Sequence, residues 1–272
     1  MQEELLSTSS AFSLNARVAV VTGANSGIGR GIAEALANAG ARVVVSGRTK
    51  ARNAEVVEAI TAAGGEAVAV EADVTREEDV VGLIGRTVDA FGQLDICVAN
   101  SGGILDVGDA PFVDMEYAMW RDAMALNLDG VFLFYREALR VMIPAGRGGA
   151  LIGVSSISSM RSLGGAVHFN AAKGGMNSLS QGLVDYVGRH GIRINTIVPG
   201  FVETATTAHI LSQEDVRAGI ERRIPIGRVG VPADIGGLAV YLASDQSGYI
   251  TGTTVVADGG QSQMMPCDAP AG

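Results

Sequence analysis

Apolar residues fall along the chain in two alternating textures. Short runs rich in β-branched residues, RVAVVT (17–22), RVVVS (42–46), EAVAVEA (66–72), LDICVA (94–99), ALIGVSS (150–156), IRINTIV (192–198) and TTVVA (253–257), are apolar with little interruption. Continuous runs of this length predict parallel strands buried on both faces. Between them lie longer stretches with apolar positions at helical spacing, near 28–39, 50–63, 76–91, 116–143, 168–189 and 232–243. Strand–helix repetition with right-handed crossovers predicts an α/β fold, a doubly wound, Rossmann-type parallel sheet of about seven strands with helices on both faces. No Pro- or Ser-rich linker breaks residues 13–262, which predicts a single domain there, with a loosely ordered leader at 1–12 and a tail at 263–272. The polar stretch 201–223, poor in turn residues, predicts a helical lid that moves over a ligand.

Composition narrows the functional classes. The net charge of −9 argues against a nucleic-acid partner, because phosphate backbones require clustered Lys and Arg. No apolar run reaches transmembrane length, and MQEELLSTSSAF lacks the basic and apolar regions of a signal peptide. The two cysteines and three histidines are scattered without metal or disulfide spacing. A cytoplasmic protein without structural metal or membrane contact is the expectation.

The first strand runs into TGANSGIG (22–29) and then into a helical pattern. Glycines at 23, 27 and 29 let the backbone turn sharply and approach a pyrophosphate, which rests on the positive end of the helix. Strand before, helix after, in the first βαβ unit, is the context that makes such a motif a dinucleotide site. Gly23, Asn25, Ser26, Gly27, Ile28 and Gly29 are its candidate residues. At the end of the second strand an acid would bond the adenosine ribose and repel a 2′-phosphate. Here stands Ser46-Gly47-Arg48-Thr49-Lys50, with no acid. Cations at a helix start are disfavoured by the helix dipole, so their clustering favours a phosphate partner. Arg48 and Lys50 therefore point to NADP(H) in preference to NAD(H), with Arg48 and Thr49 as candidate cofactor residues.

With these features on the page the sequence resembles the classical short-chain dehydrogenase/reductase family over roughly residues 13–262, its motifs in the family's order. TGANSGIG is similar to the family's TGxxxGxG turn. The resemblance implies that Asp73 and Val74 contact adenine, and that Asn100 and Gly102, in ANSG, occupy the family's NNAG position with Ser101 for its alanine and Ala99 for its first asparagine. It implies that Asn127 kinks a helix and holds a proton-relay water, that Ser156 orients substrate, and that Lys173 is the lysine of YxxxK, bound to the nicotinamide ribose. It further implies that Pro199, Gly200, Val202 and Thr204 hold the nicotinamide amide and phosphate. Ser156 precedes position 169 by thirteen residues, as the family's serine precedes its tyrosine.

One departure dominates. Position 169, in HFNAAKGG, is phenylalanine. The family moves hydride between nicotinamide and a carbonyl or carbinol carbon while tyrosine moves the proton. A free phenol, with a pKa of about 10, needs a neighbouring lysine cation to reach working pH. Phe169 keeps the ring and removes the acid, a loss of about 10²–10⁴ in rate. Three accounts stand: a replacement made in an ordinary reductase to disable it, favoured because Asn127, Ser156 and Lys173 are all retained; a natural variant with another proton donor, His168 or Ser155, such as a 3-oxoacyl-type reductase; or a catalytically silent NADP(H)-binding protein. His168 is badly placed for the task, since adjacent helical residues point apart.

In doubly wound sheets the ligand lies beyond the carboxyl ends of the strands. Segments 102–112, 157–168 and 201–223 reach that edge, making Met160, Leu163, His209 and Ile210 candidates for a small-molecule substrate pocket and Arg161, Arg222 and Arg223 candidates for an anionic group. The helical stretches 116–143 and 168–189 carry exposed-looking apolar residues, Leu133, Phe134, Leu179, Leu183 and Tyr186. The resemblance implies that these helices pair across a two-fold axis, in a homo-oligomer and most often a homotetramer.

Overall fold

The computed structural model describes residues 11–105, 111–162 and 164–263. Seven strands, β1 (Val18–Thr22), β2 (Arg42–Gly47), β3 (Glu66–Glu71), β4 (Ile96–Ala99), β5 (Gly149–Val154), β6 (Ile192–Pro199) and β7 (Thr254–Ala257), form one sheet. Its order is β3-β2-β1-β4-β5-β6-β7, and every pairing is parallel. The strands are wound outward in both directions from β1 and β4. A topological switch point therefore lies between those two, where a crevice opens beyond their carboxyl ends.

Alternation along the buried strands feeds two cores. On one face Val18, Val20, Val44, Cys97, Leu151 and Ile194 meet α3 (Glu77–Phe91), α5 (Gly130–Ala145) and α6 (Val167–Gly188) through Leu83, Phe134, Met142 and Met176. On the other, Ala19, Val21, Val43, Val45, Val98 and Ile197 meet α1 (Gly27–Asn38), α2 (Lys50–Ala62) and α9 (Pro232–Ala243) through Ile32, Leu36, Val56, Ile60 and Leu242. This is why the strand runs read as continuously apolar: each face of the sheet has its own helix layer.

Four local features differ from the expectation. The helical stretch expected over 116–143, with a kink implied at Asn127, is α4 (Tyr117–Met124) and α5 joined by a π-helical turn, Ala125–Asp129, centred on Asn127. The fifth strand ends at Val154, so Ser156 opens a 3₁₀ turn (Ile157–Ser159) instead of closing the strand. Phe134, expected on the surface, is buried in the core. The segment expected as a lid holds two short helices, α7 (Ala208–Leu211) and α8 (Glu214–Glu221), resting on a small separate cluster of Leu211, Ile224 and Val229. At the margins, Phe12 packs edge-on against Tyr241 with ring centroids 6.3 Å apart.

Candidate active site

A cavity of about 1310 Å³ opens at the carboxyl edge of the sheet, over the switch point. Its floor begins at the turn between β1 and α1. An added Cβ on Gly29 would lie 2.2 Å from the Gly23 carbonyl oxygen and 2.3 Å from Asn100 Nδ2, so only glycine permits this turn. Asn100 locks it from the neighbouring strand: Nδ2 donates to Thr22 O (2.9 Å) and Gly23 O (3.2 Å). Thr22 Oγ1 accepts in turn from the Asn100 and Ser101 amides, at 3.0 and 3.1 Å. The first turn of α1 is thus presented to the cavity with its amide groups free for an anion.

Gly23, Asn25, Ser26, Gly27, Ile28, Gly29, Arg48, Thr49, Asp73, Val74, Asn100, Gly102, Pro199, Gly200, Val202 and Thr204, the candidate cofactor residues, all line this one cavity together with Ser156, Phe169 and Lys173. Asn127 stands just behind. Its Oδ1 accepts from the Gly103 amide (2.9 Å), and its Nδ2 donates to Gly103 O (3.0 Å) and Ala123 O (3.1 Å). The π-turn makes room for this inward asparagine, as π-bulges at functional sites commonly do. A Cβ on Gly102 would sit 2.6 Å from Asn127 Oδ1 and 3.0 Å from Lys173 Nζ, so the backbone passes between the two side chains.

Lys173 is buried, and its Nζ donates to Val154 O at 2.9 Å. Desolvation lowers its pKa from 10.5 to about 8. The same Nζ lies 5.7 Å from the centroid of the Phe169 ring, four residues earlier on α6, in a cation–π contact. Phe169 presents its nearly buried ring to the cavity wall. Ser156 Oγ accepts from the Ser158 amide at 3.2 Å. Neither alternative proton donor reaches the cavity freely. His168 is fully buried, with Nε2 3.2 Å from Leu105 O, and is absent from the wall. Ser155 does line the cavity, but its hydroxyl donates to Lys173 O at 3.2 Å.

Of the expected substrate residues, Met160 is exposed, and His209 and Ile210 lie on α7, with His209 Nδ1 2.9 Å from Thr206 O; none of the three lines the cavity. Leu163 lies outside the described residues. The wall on that side is built instead from Ile157, Arg161, Phe201, Arg222, Arg223 and Gln261. Gln263, expected in the tail, also lines it.

The family model described as enoyl-(acyl carrier protein) reductase matches residues 23–262. Among curated proteins, L-rhamnose 1-dehydrogenase (NAD(P)(+)) of Azotobacter vinelandii is 38% identical over 250 residues, covering 90% of this chain and 96% of that protein. The 2-dehydro-3-deoxy-D-gluconate 5-dehydrogenase of Escherichia coli is 36% identical over 251 residues, with 92% and 97% covered. A solved gluconate 5-dehydrogenase of Burkholderia cenocepacia, in complex with NADP and tartrate, superposes with a TM-score of 0.88 at 30% identity, covering 95% of this chain and 100% of that one. The chain belongs to the short-chain dehydrogenase/reductase family. It is an oxidoreductase by descent, as are the sugar and sugar-acid dehydrogenases among its relatives.

Within this short-chain dehydrogenase/reductase, one charged residue of the cavity was not a candidate from the sequence. Arg52, on the first turn of α2, lines the same end of the cavity as Arg48. Neither guanidinium group makes a hydrogen bond or ion pair among the described residues. Arg48 lies just before the Thr49 N-cap and Arg52 just inside the helix, so the sequence alone leaves Arg52 indistinguishable from an ordinary solvated charge.

Proposed function

We propose that the protein is an NADPH-dependent carbonyl reductase or alcohol dehydrogenase framework whose proton-transfer step is disabled by Phe169. The observation that carries this reading is the arrangement around one ring. Lys173 Nζ stands 5.7 Å from the Phe169 ring, Ser156 and the Asn127-braced Gly102–Gly103 turn line the same cavity, and the ring carries nothing that titrates.

The nicotinamide cofactor fits the residues present: the glycine turn that no side chain could enter, the open first turn of α1 and the unpaired Arg48 and Arg52 are the cradle for a dinucleotide bearing a 2′-phosphate. Relatives named as NAD(P)(+)-dependent, and a neighbour solved with NADP, support NADP(H) as the coenzyme. When bound, it supplies the hydride acceptor or donor. The chain's own contribution is to hold the reacting carbonyl or carbinol. Ser156 Oγ orients the substrate oxygen, Lys173 Nζ holds the nicotinamide ribose, and Asn127 braces the loop between them. With phenylalanine at 169 no side chain of the wall is positioned to exchange a proton with that oxygen, and turnover falls by about 10²–10⁴.

The cation–π contact of Lys173 with Phe169 supports a second reading, a catalytically silent NADP(H)-binding protein, since it stabilises the ammonium without a phenol. Both readings require the coenzyme. NADPH and NADH titrations followed by fluorescence test it: Arg48→Ala and Arg52→Ala should each weaken NADPH by roughly tenfold or more, as loss of a charge-assisted contact does, and leave NADH unchanged. Equal losses for both coenzymes, or none, would remove the NADP assignment. We further infer that the protein is a homo-oligomer, most simply a tetramer, acting on a small-molecule substrate in the cytoplasm.

A further inference from the structure

We propose that the far end of the cavity, beyond the carboxyl ends of β5 and β6, is a carboxylate-recognition subsite, and that the substrate is a hydroxy or keto acid held there by Arg161, Arg222 and Arg223. The proposal rests on the oxidoreductase reading above and names its substrate class. It begins from a charge imbalance. The chain carries −9 overall, yet the ionisable residues lining the cavity are Arg48, Arg52, Arg161, Lys173, Arg222 and Arg223, against the single carboxylate of Asp73. Asp73 stands after β3, at the opposite end, where its Oδ1 accepts from the Thr75 amide and hydroxyl at 3.0 and 2.8 Å.

Arg48 and Arg52 follow β2, on the far side of β1 from β5 and β6, and belong to the cofactor's adenosine end. The other three arginines form a separate group. Arg161 lies on the loop after β5 and its Nε donates to Ser262 O at 3.2 Å, which fixes the stem of the guanidinium and leaves its terminal nitrogens uncommitted. Arg222 and Arg223 follow α8; their amides donate to Ala218 O and Ile220 O, while their guanidinium groups make no hydrogen bond or ion pair among the described residues. The nearby acids are otherwise engaged: the Arg217 guanidinium lies 2.7 Å from Glu203 Oε2 and 3.1 Å from Glu221 Oε1, and Asp258 accepts from the Gly260 and Ser262 amides at 2.8 and 2.6 Å. All three arginines are exposed to the cavity they line, so an anion entering it meets three cations that no protein carboxylate pairs among the described residues. A planar carboxylate matches their fork geometry in a way a neutral polyol cannot.

The test is calorimetric titration of the full chain, saturated with NADP⁺, with three acid and polyol pairs of matched skeleton: glycolate and ethylene glycol, L-tartrate and L-threitol, D-gluconate and D-glucitol. At least one acid should bind ten times or more tighter than its partner. Arg161→Met, and the double variant Arg222→Met with Arg223→Met, should each lower that acid's affinity by roughly ten- to a hundredfold and leave the polyol and NADP⁺ affinities unchanged. Polyols binding as well as acids, no acid binding at all, or an equal loss of NADP⁺ affinity in the variants would each overturn the subsite, the last by giving these arginines to the cofactor. The acids are titrated again without NADP⁺. A parent chain that binds acid through these arginines but never binds NADP⁺ would sink the proposed function while keeping the subsite.

Discussion

Lys173 illustrates how a single side chain can be legible in kind and not in state. Its place one helical turn after residue 169 can be read from HFNAAKGG, and so can its partnership with an aromatic ring. That its ammonium is fully buried, donating to Val154 O and shifted down to about 8, depends on the packing of α6 against β5. The shift carries a sign for stability. Because the folded pKa lies below the unfolded 10.5, the unfolded chain holds more protons at this site between pH 8 and 10.5. Its contribution to stability therefore rises with pH through that window and is smallest below pH 8. Denaturant unfolding at pH 7.5, 9 and 10 should show the parent gaining stability relative to Lys173→Met as pH rises. Parallel pH profiles would mean that the lysine is solvated. Arg52 marks the converse limit, since a cation just inside a helix start is ordinary in sequence and acquires meaning only from the cavity beside it.

Among the elements, strands and long helices were legible because their cue is local: β-branched runs end within a residue or two of where the sheet ends them. What escaped was set by tertiary demand. Nothing in the spacing of MALNLDG gives five π-helical residues, which form because Asn127 must reach the Gly103 backbone. The lid's break at Ser212–Gln213 carries no Gly or Pro signal either. The base of that lid is held from α9. Asp234 Oδ2 accepts from the Val231 amide at 2.8 Å, at the amino end of the helix, and its carboxylate also takes Arg228 at 2.7 and 2.9 Å. These bonds hold its pKa at about 2. Just before them in the chain Gly230 bonds to Phe201 O at 2.9 Å and the Glu203 amide donates to Gly230 O at 2.8 Å. Asp234→Ala should cost about 1 kcal/mol, or a Tm lower by roughly 2–4 °C, measured by calorimetry at pH 7. The difference from the parent should shrink as pH falls from about 4 to about 2, where protonation removes the same bonds. An unchanged Tm would show the cap to be ornamental.

At the scale of the whole molecule, the doubly wound order explains why residues more than 200 positions apart in sequence, such as Gly23 and Gln261, face one cavity: every strand delivers its following loop to the same edge. The opposite use of surface is seen between α5 and α6. Phe132, Leu139, Leu179, Leu183 and Tyr186 line an apolar groove of about 420 Å³ flanked by Arg136 and Arg140. Of the residues expected to be exposed, Tyr186 is; Leu133, Leu179 and Leu183 are half-buried against the core, and Phe134 was not distinguishable from them because its helix carries apolar residues on more than one face. If this face joins copies of the chain, light scattering at micromolar concentration should give a multiple of the 27.9 kDa protomer, and Leu183→Asp should reduce it. A parent that is monomeric would contradict the assembly.

The central claim is that the protein retains a complete reductase framework lacking only its acid. Phe169→Tyr tests it most directly, assayed as NADPH oxidation with a panel of ketones and keto acids beside the parent. A gain in kcat/KM of about 10²–10⁴ for at least one of them is expected, with NADPH affinity and Tm essentially unchanged. No gain with any substrate, in a variant that folds and binds NADPH as the parent does, would contradict it.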